Sequence, residues 1–267
     1  MKRLLAALAL CGALAGCARA PVKRVCWTTM GTVAAVQTRG TENPAAVAIV
    51  RKAFDDVERL LNAHNPGSEL SRLAPLSEED ILAKCDPRMR PCYETAFRMM
   101  RESGGAFNPR WRGPGTLDLG GIAKGFALDL AGKELNDHAD SVGTDDILVD
   151  LGGNLKVVRG KWSIGVYQPP DAASRPTAFT QGPGYSCATS AEYARGKHIY
   201  DGRTGLAVTN EVVSVTVVHP KSAMLADGLS TILFILGRDR GDAFLRAHCP
   251  EAEAIWIMSN QEGMPLQ

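Results

Sequence analysis

Between Pro44 and Ala63 the apolar residues Val47, Val50, Phe54, Val57 and Leu61 fall three and four positions apart, the spacing of one helical face. Asn43 stands directly before this run and predicts its N-cap, and His64-Asn65-Pro66-Gly67 ends it. Val33 to Thr38 alternates like a strand, while Pro21 to Trp27 reads as a tether leading into Thr28-Thr29-Met30-Gly31-Thr32. Ser68 to Leu73 is polar and locally capped, and Ser77 with Asp80 predicts a short helix through Lys84. A further helix opens at Pro91, shows an apolar face at Ala96, Phe97 and Met100, and stops at Gly104-Gly105.

The stretch from Leu117 to Asp129, LDLGGIAKGFALD, carries the densest set of signals. Thr116 to Leu119 suits a short buried strand, Gly120-Gly121 a turn, and Ile122 onward a helix. Ile122, Ala123, Phe126, Ala127, Leu130 and Ala131 make one apolar face of that helix, with Lys124, Asp129 and Lys133 elsewhere. Downstream, Ile147 to Leu155 reads ILVDLGGNL, so the tetrapeptide Asp-Leu-Gly-Gly occurs twice, at Asp118 to Gly121 and at Asp150 to Gly153. Strand, helix and strand at this spacing predict a βαβ unit with both glycine turns at one edge. Lys161 to Val166 is a further short strand and Asp171 to Pro176 a loop. Ala188-Thr189-Ser190 ends another strand, and His198-Ile199-Tyr200-Asp201 begins the next after a basic turn at Arg195 to Lys197. The β-branched run Val212 to Val218 is a buried strand. Met224 to Gly237 is a largely buried helix, apolar on one face through Leu229, Ile232, Leu233 and Leu236 and on much of the other through Phe234 and Ile235.

Composition narrows the function classes. In 267 residues the formal net charge is +1 and the apolar fraction 45%, so nothing in the totals points to nucleic acid, a polybasic membrane surface or disorder. The length suits one sizeable domain with a real core. The first residues carry Lys2 and Arg3, then an apolar run too short to span a bilayer, then small residues, which is a secretory signal. Its end, Leu14-Ala15-Gly16-Cys17, resembles the bacterial lipobox, in which the cysteine is lipidated and becomes the mature N-terminus. Ordinary cleavage near Ala18 or Ala20 is the alternative. The expected organisation is a lipoprotein signal peptide over 1–16, a lipid-anchored tether over 17–27 and one domain over 28–267. The expected location is the periplasmic side of a bacterial membrane. Of seven cysteines, five remain beyond Cys17, and Cys85 with Cys92 is the easiest loop to close in an oxidising compartment. No Cys/His spacing suits a thiolate metal site.

The chemistry concentrates at two places. A helix that begins after paired glycines presents unpaired N–H groups and the positive end of its dipole, a place for an anion and most commonly phosphate. Lys124 in the first turn adds a cation and Asp118 an acceptor. The run matches neither standard phosphate-loop pattern, so packing alone could account for the glycines. Farther on, Asp227 and Thr231 stand at i and i+4 on a buried helix, so carboxylate and hydroxyl point to one spot. A carboxylate there needs a cation, and oxygen ligands of this kind suit Mg²⁺, or it needs backbone amides at a helix start. Arg110, Trp111 and Arg112 could stack on a planar ligand or form a solvated turn. His198 alone is a hydrogen-bonding residue as readily as a catalyst.

Taken together these pieces resemble the ApbE family of FAD:protein FMN transferases. The resemblance rests on Met30-Gly31-Thr32, Ser68 to Leu73, Gly105-Ala106-Phe107, LDLGGIAKGFALD, LVDLGGNL, ATSAEYAR with His198 and Asp201 to Gly205, and ADGLSTILFILG. The motifs run through most of the chain in the family's order. The resemblance implies an α+β fold, T-fold-like, with a mixed β-sheet core covered by helices. It implies Mg²⁺ and FAD as bound substrate, with FMN moved onto a Thr or Ser hydroxyl of an acceptor flavoprotein and AMP released. By the same resemblance Met30, Ala106, Phe107, Asn108, Asp118, Lys124 and His198 fall at flavin-nucleotide positions. Gly121 through its carbonyl, Asp227 and Thr231 fall at metal positions. His198, Asp227 and Lys124 are the expected catalytic set, with His198 the base for the acceptor hydroxyl. The chain departs from the family in a short segment between Phe107 and Leu117, in Asn108 where an aspartate is usual, in His64 where an aromatic is common, and in an early C-terminus. Hydrolysis of FAD to FMN and AMP, or flavin binding without turnover, are the alternatives. The anchor gives the first test: Cys17→Ser is expected to move the protein from the membrane to the soluble fraction, and unchanged sedimentation with membranes would refute the lipid assignment.

Overall fold

The computed structural model describes residues 20–143, 146–166, 178–192 and 198–259. The signal segment with Cys17, the loop from Asp171 to Pro176 and the basic turn from Arg195 to Lys197 lie outside the described residues. Strands β1 (Val22–Thr29) and β2 (Thr32–Arg39) are joined across Met30-Gly31 and followed by helix α1 (Pro44–Leu61). The Asn43 side chain accepts from the Ala46 N–H at 2.9 Å, which is the expected cap. Helices α2 (Glu69–Leu73) and α3 (Glu78–Lys84) are capped by Ser68 and Ser77 and lead to α4 (Arg90–Glu102). Next come α5 (Ala123–Asp137), α6 (Ala139–Val142), β3 (Ile147–Leu151), β4 (Asn154–Arg159), β5 (Trp162–Gly165), β6 (Ala178–Gln181) and β7 (Ser186–Ala191). A small hairpin, β8 (Tyr200–Asp201) with β9 (Leu206–Ala207), precedes β10 (Val212–His219), α7 (Ala223–Leu236), α8 (Arg238–His248) and β11 (Glu253–Met258).

Among the described residues seven strands form one sheet in the order β1-β2-β3-β4-β7-β10-β11. The α+β class stands, and within it every pairing is antiparallel, where a mixed sheet was expected. Two local readings account for the difference. ILVDLGGNL is not one strand: Gly152 and Gly153 adopt φ of 63° and 89°, a turn open to glycine, and fold β4 back on β3 with Leu151 opposite Asn154. Leu117 to Leu119 forms no strand either, because the Asp118 N–H is satisfied by the Pro109 carbonyl at 2.8 Å instead of a ladder. There is therefore no βαβ unit here. The expected tether from Pro21 to Trp27 is largely strand β1, paired with β2 from Val22 onward. Its solvent-facing edge position leaves little apolar pattern to read.

Helices α1, α5 and α7 cover one face of the sheet over the main core, in which Phe54, Phe97, Ile122, Leu128 and Phe234 are almost fully buried. Strands β5 and β6 cover part of the other face, over a smaller cluster of Leu148, Val157, Trp162, Ile164, Cys187 and Val218. Cys85 and Cys92 are buried free thiols and form no disulfide with each other. No helix among the described residues is long and apolar enough to cross a membrane.

Helices α5 and α7 meet backbone to backbone. A Cβ on Gly125 would lie 2.2 Å from the Ala223 carbonyl oxygen and 2.7 Å from the Asp227 Cβ, so the backbones meet where Gly125 has no side chain. Each helix also sends a carboxylate to the other's first turn. Asp227 of α7 accepts from the Gly125 N–H at 2.9 Å. Asp129 of α5 accepts from the Ala223 and Met224 N–H groups at 2.8 and 3.0 Å and from the Ser222 hydroxyl at 2.7 Å. Each carboxylate meets the positive end of a helix dipole. Gly125→Ala gains roughly 1 kcal/mol of helix propensity but forces a methyl into backbone, an overpacking penalty at the upper end of roughly 1–3 kcal/mol. A net loss of stability is expected in denaturant unfolding, and equal or greater stability would contradict this packing.

Candidate active site

The Gly104-Gly105 stop of α4, with φ of 58° and 83°, turns the chain back so that Ala106, Phe107 and Asn108 face the start of α5. The Phe107 N–H donates to Ser103 Oγ at 3.1 Å, and the Ala106 carbonyl accepts from the Gly202 N–H at 2.9 Å. Asn108 is held as a local staple: its Oδ1 accepts from the Arg110 N–H at 2.8 Å and its Nδ2 donates to the Gly202 carbonyl at 3.3 Å. Asp118 accepts from the Gly120 N–H at 2.8 Å and the Trp111 indole at 3.2 Å, with the Arg112 guanidinium 3.4 Å away. The Trp111 ring stacks on Tyr200 with centroids 4.3 Å apart, and the Arg112 guanidinium lies 4.8 Å from its centroid. The Arg-Trp cluster thus builds a wall from its own rings.

These groups line one cavity of about 760 Å³, together with Lys124, Gly121, Asp227, Thr231 and His198. Asp227 is 4% exposed. Its two oxygens meet the Gly125 N–H and, at 3.4 Å, the Lys124 ammonium, so a cation and a backbone amide both stabilise it. The backbone-amide reading of this carboxylate is met by the Gly125 N–H, and the cation beside it in this structure is Lys124. The Thr231 hydroxyl lies 3.3 Å from both the Gly121 carbonyl and the Asp227 carbonyl. A Cβ on Gly121 would sit 3.1 Å from the Phe107 ring and 3.2 Å from Thr231 Oγ1, so glycine is what lets this carbonyl approach the hydroxyl. Gly121, Asp227 and Thr231 make an all-oxygen donor set next to an ammonium, which suits a hard divalent cation such as Mg²⁺.

Both Asp-Leu-Gly-Gly segments border this one cavity, as the repeat predicts. The second contributes Asp150, Gly152 and Gly153, followed by Asn154, and none of these is a site residue in the sequence reading; the duplication itself is the signal. Burial pushes the Asp150 carboxyl above the usual carboxylate range, opposed by the Gly153 N–H at 3.0 Å and by Arg24. The cavity wraps over the β3–β4 turn. Ser190, hydrogen-bonded to Ser230 of α7 at 2.9 Å, lies on the helix-covered face, while Leu155 and Cys187 belong with the smaller cluster on the other. Met30 sits in the β1–β2 turn with φ 48°, packed against the main core and not among the residues that line the cavity; the strand that follows it runs beside the cavity rim, where the Gly152 N–H donates to the Val33 carbonyl at 2.9 Å.

A second group of ligand-type residues, His219, Cys249 and Glu251, gathers within 4.8 Å. The Lys221 and Ser222 N–H groups donate to His219 Nδ1 at 3.1 and 3.0 Å, which places the neutral ring's proton on Nε2, the nitrogen facing Glu251. A histidine held this way is a poor metal ligand, since a ligating ring normally donates from its other nitrogen. Burial also pushes the Cys249 thiol up to about 11, away from the thiolate a metal requires.

Comparison with known proteins agrees with this geometry. The sequence profile of the ApbE family matches residues 30–115 and 110–256. Proteins named FAD:protein FMN transferase are 33% identical over 162 residues in Vibrio cholerae, covering 55% of this chain and 46% of that protein, and 36% identical over 155 residues in Klebsiella pneumoniae, covering 55% and 46%. The matched stretch thus spans a little under half the length of these relatives. Among solved structures, the flavin transferase ApbE from Vibrio cholerae superposes with a TM-score of 0.73 at 24% identity, covering 91% of this chain and 95% of that one. The apo flavinyl transferase ApbE of Pseudomonas stutzeri gives 0.73 at 19% identity, covering 91% and 93%. These likenesses establish the fold, and the profile match over most of the described residues establishes that the chain belongs to the ApbE family.

Proposed function

We propose that the chain is a Mg²⁺-dependent FAD:protein FMN transferase. The observation that carries this reading is the meeting, in one cavity, of the α5 start with Lys124 and the oxygens of Gly121, Asp227 and Thr231. A pyrophosphate needs both kinds of group, N–H and ammonium donors on its non-bridging oxygens and a divalent cation to balance its charge. Gly121, Asp227 and Thr231 would hold Mg²⁺, which when bound stabilises negative charge on the phosphate oxygens.

The chain's own residues divide the remaining work. Lys124 sits 3.4 Å from Asp227; a cation held by the carboxylate would replace that partner and leave the ammonium for the phosphates, one helical turn from the glycines. Asp118, tied to Gly120, Trp111 and Arg112, fixes the loop that borders the nucleotide. His198 lines the same cavity and is exposed to solvent, where an incoming acceptor can reach it. In the transfer, the acceptor hydroxyl oxygen bonds to the FMN phosphorus, the bond from that phosphorus to the bridging oxygen breaks, AMP leaves with the bridging oxygen, and the hydroxyl proton passes to His198. The hydroxyl comes from a Thr or Ser of an exported flavoprotein, and an N-terminal lipid on Cys17 would hold the enzyme at the membrane where such acceptors fold.

Asn108 bears on the reading of a binder without turnover, since its side chain is spent on Arg110 and Gly202. One assay separates the readings: the protein with FAD, Mg²⁺ and an acceptor carrying the target threonine, followed by acceptor mass and AMP release. Acceptor gaining FMN with stoichiometric AMP is the expected result. AMP without modified acceptor indicates hydrolysis, and bound FAD without AMP indicates a binder. Asp227→Asn keeps an acceptor for the Gly125 N–H while removing the charge, and it is expected to lower the transfer rate at least a hundredfold, roughly the loss of one charge-stabilising group. Asp227→Ala would also uncap α5 and confuse stability with catalysis. His198→Gln is expected to lower the rate by about 10²-fold or more at saturating FAD; an unchanged rate would remove His198 from the mechanism.

A further inference from the structure

Six buried side-chain polar atoms among the described residues lack a hydrogen-bond partner, on Trp27, Arg39, Asn154, Glu192, Ser214 and His219. Of these six residues only Asn154 lines the cavity. It is 2% exposed, and the orphan is its amide nitrogen, Nδ2. A buried donor with no acceptor is a cost that native folds avoid unless a ligand meets it.

The position is a rigid one. Asn154 is the first residue of β4, paired with Leu151 directly across the Gly152-Gly153 turn. Strand alternation puts its side chain on the same face as Lys156, whose ammonium reaches Asp129 of α5 at 2.8 Å. Asn154 therefore projects to the helix-covered face, the face from which Asp227 and Thr231 of α7 enter the cavity. The charged groups that suit the diphosphate are supplied there by Lys124 and the α5 start. What Asn154 adds is different: a neutral, planar amide with a donor and an acceptor side by side, which can exchange places by a flip of the amide. That pair complements a neutral ring edge on which a donor and an acceptor are also adjacent. A phosphate has only acceptors and would leave the amide oxygen facing an anion.

We infer that Asn154 reads the hydrogen-bonding edge of a ring system of the bound dinucleotide and so sets the site's preference among nucleotides. The inference rests on the nucleotide reading above. Two rings of FAD, the flavin and the adenine, offer such an edge, and the test tells them apart.

Affinities for FAD, FMN and AMP are measured separately by flavin fluorescence and calorimetry, with Mg²⁺ present, for the unmutated protein, Asn154→Leu and Asn154→Ala. FAD is expected to bind about tenfold more weakly to both variants, the effect of one hydrogen bond lost with its partner left buried. The unliganded Asn154→Leu protein is expected to unfold at a temperature no lower than the unmutated one, because its orphan donor is gone. A parallel loss for FMN assigns the flavin ring, and a loss for AMP the adenine. FAD affinities within about twofold of the unmutated protein, in folded variants, would overturn the inference. As a check independent of folding, the Asn154 side-chain amide resonances in ¹⁵N spectra of the unmutated protein must shift on adding FAD; unmoved resonances would also overturn it. An unmutated protein that binds none of the three would overturn the nucleotide reading itself, a separate outcome.

Discussion

Two helix starts are locked together at Gly125. Because the backbones of α5 and α7 touch there, with no space even for a methyl, the first turn of each helix lies within reach of a carboxylate from the other. Asp227 and Asp129 take up those positions, so each start is stabilised by a charge it could not obtain from its own chain segment. The same crossing fixes where Asp227 can be. A buried carboxylate displaced from its amide and ammonium partners would cost several kcal/mol, of the order expected for an unpaired buried charge, which makes the arrangement rigid and specific.

The site is a consequence of that crossing. Asp227 at the α5 start brings Thr231, one turn later on α7, to the Gly121 carbonyl, and Gly121 lacks the side chain that would push them apart. The glycines before α5 therefore serve the approach of a carbonyl as much as the opening of a helix start. Across the cavity the β3–β4 turn supplies a second glycine pair and, beside it, a raised-pKa carboxyl at Asp150 and the orphan amide of Asn154. The oxygens of Gly121, Asp227 and Thr231, an ammonium and neutral polar groups are thus spread along a single cleft, the distribution a dinucleotide would match.

Much of this is legible in the sequence, for identifiable reasons. Helices α1 and α3 carry their own caps, α4 its Pro91 start and glycine stop, and α7 its apolar periodicity, and the structure keeps Asn43, Ser77 and the Gly104-Gly105 stop where those signals put them. The α5 face was read too narrowly: Gly125, Leu128 and Gly132 are also buried, because α7 and Lys156 press on sides that residue type alone marks as neutral. The direction of the strands was not legible. ILVDLGGNL is apolar at both ends, and the glycine pair inside it signals a hairpin only once Leu151 is seen opposite Asn154. Strand β1 escaped because Val25, Cys26 and Trp27 follow one another, so residue type hides the alternation in burial that begins at Val25. The oxygen pair at Asp227 and Thr231 was readable from i, i+4 spacing, whereas its meeting with Gly121, more than a hundred residues away, needed the fold. Met30 stands in the β1–β2 turn and against the core, a placement that no spacing in the sequence foretold.

The central claim is that one cation held by Gly121, Asp227 and Thr231 and one diphosphate held by the α5 start share a single site. A crystal of the protein grown with Mn²⁺ and FAD, examined for anomalous scattering, tests it most directly. The account predicts one manganese peak bonded to Asp227, Thr231 and the Gly121 carbonyl, with the FAD pyrophosphate bridging it and Lys124. Manganese bound elsewhere, at His219 and Glu251 for instance, or a pyrophosphate that touches only one of the two, would contradict it.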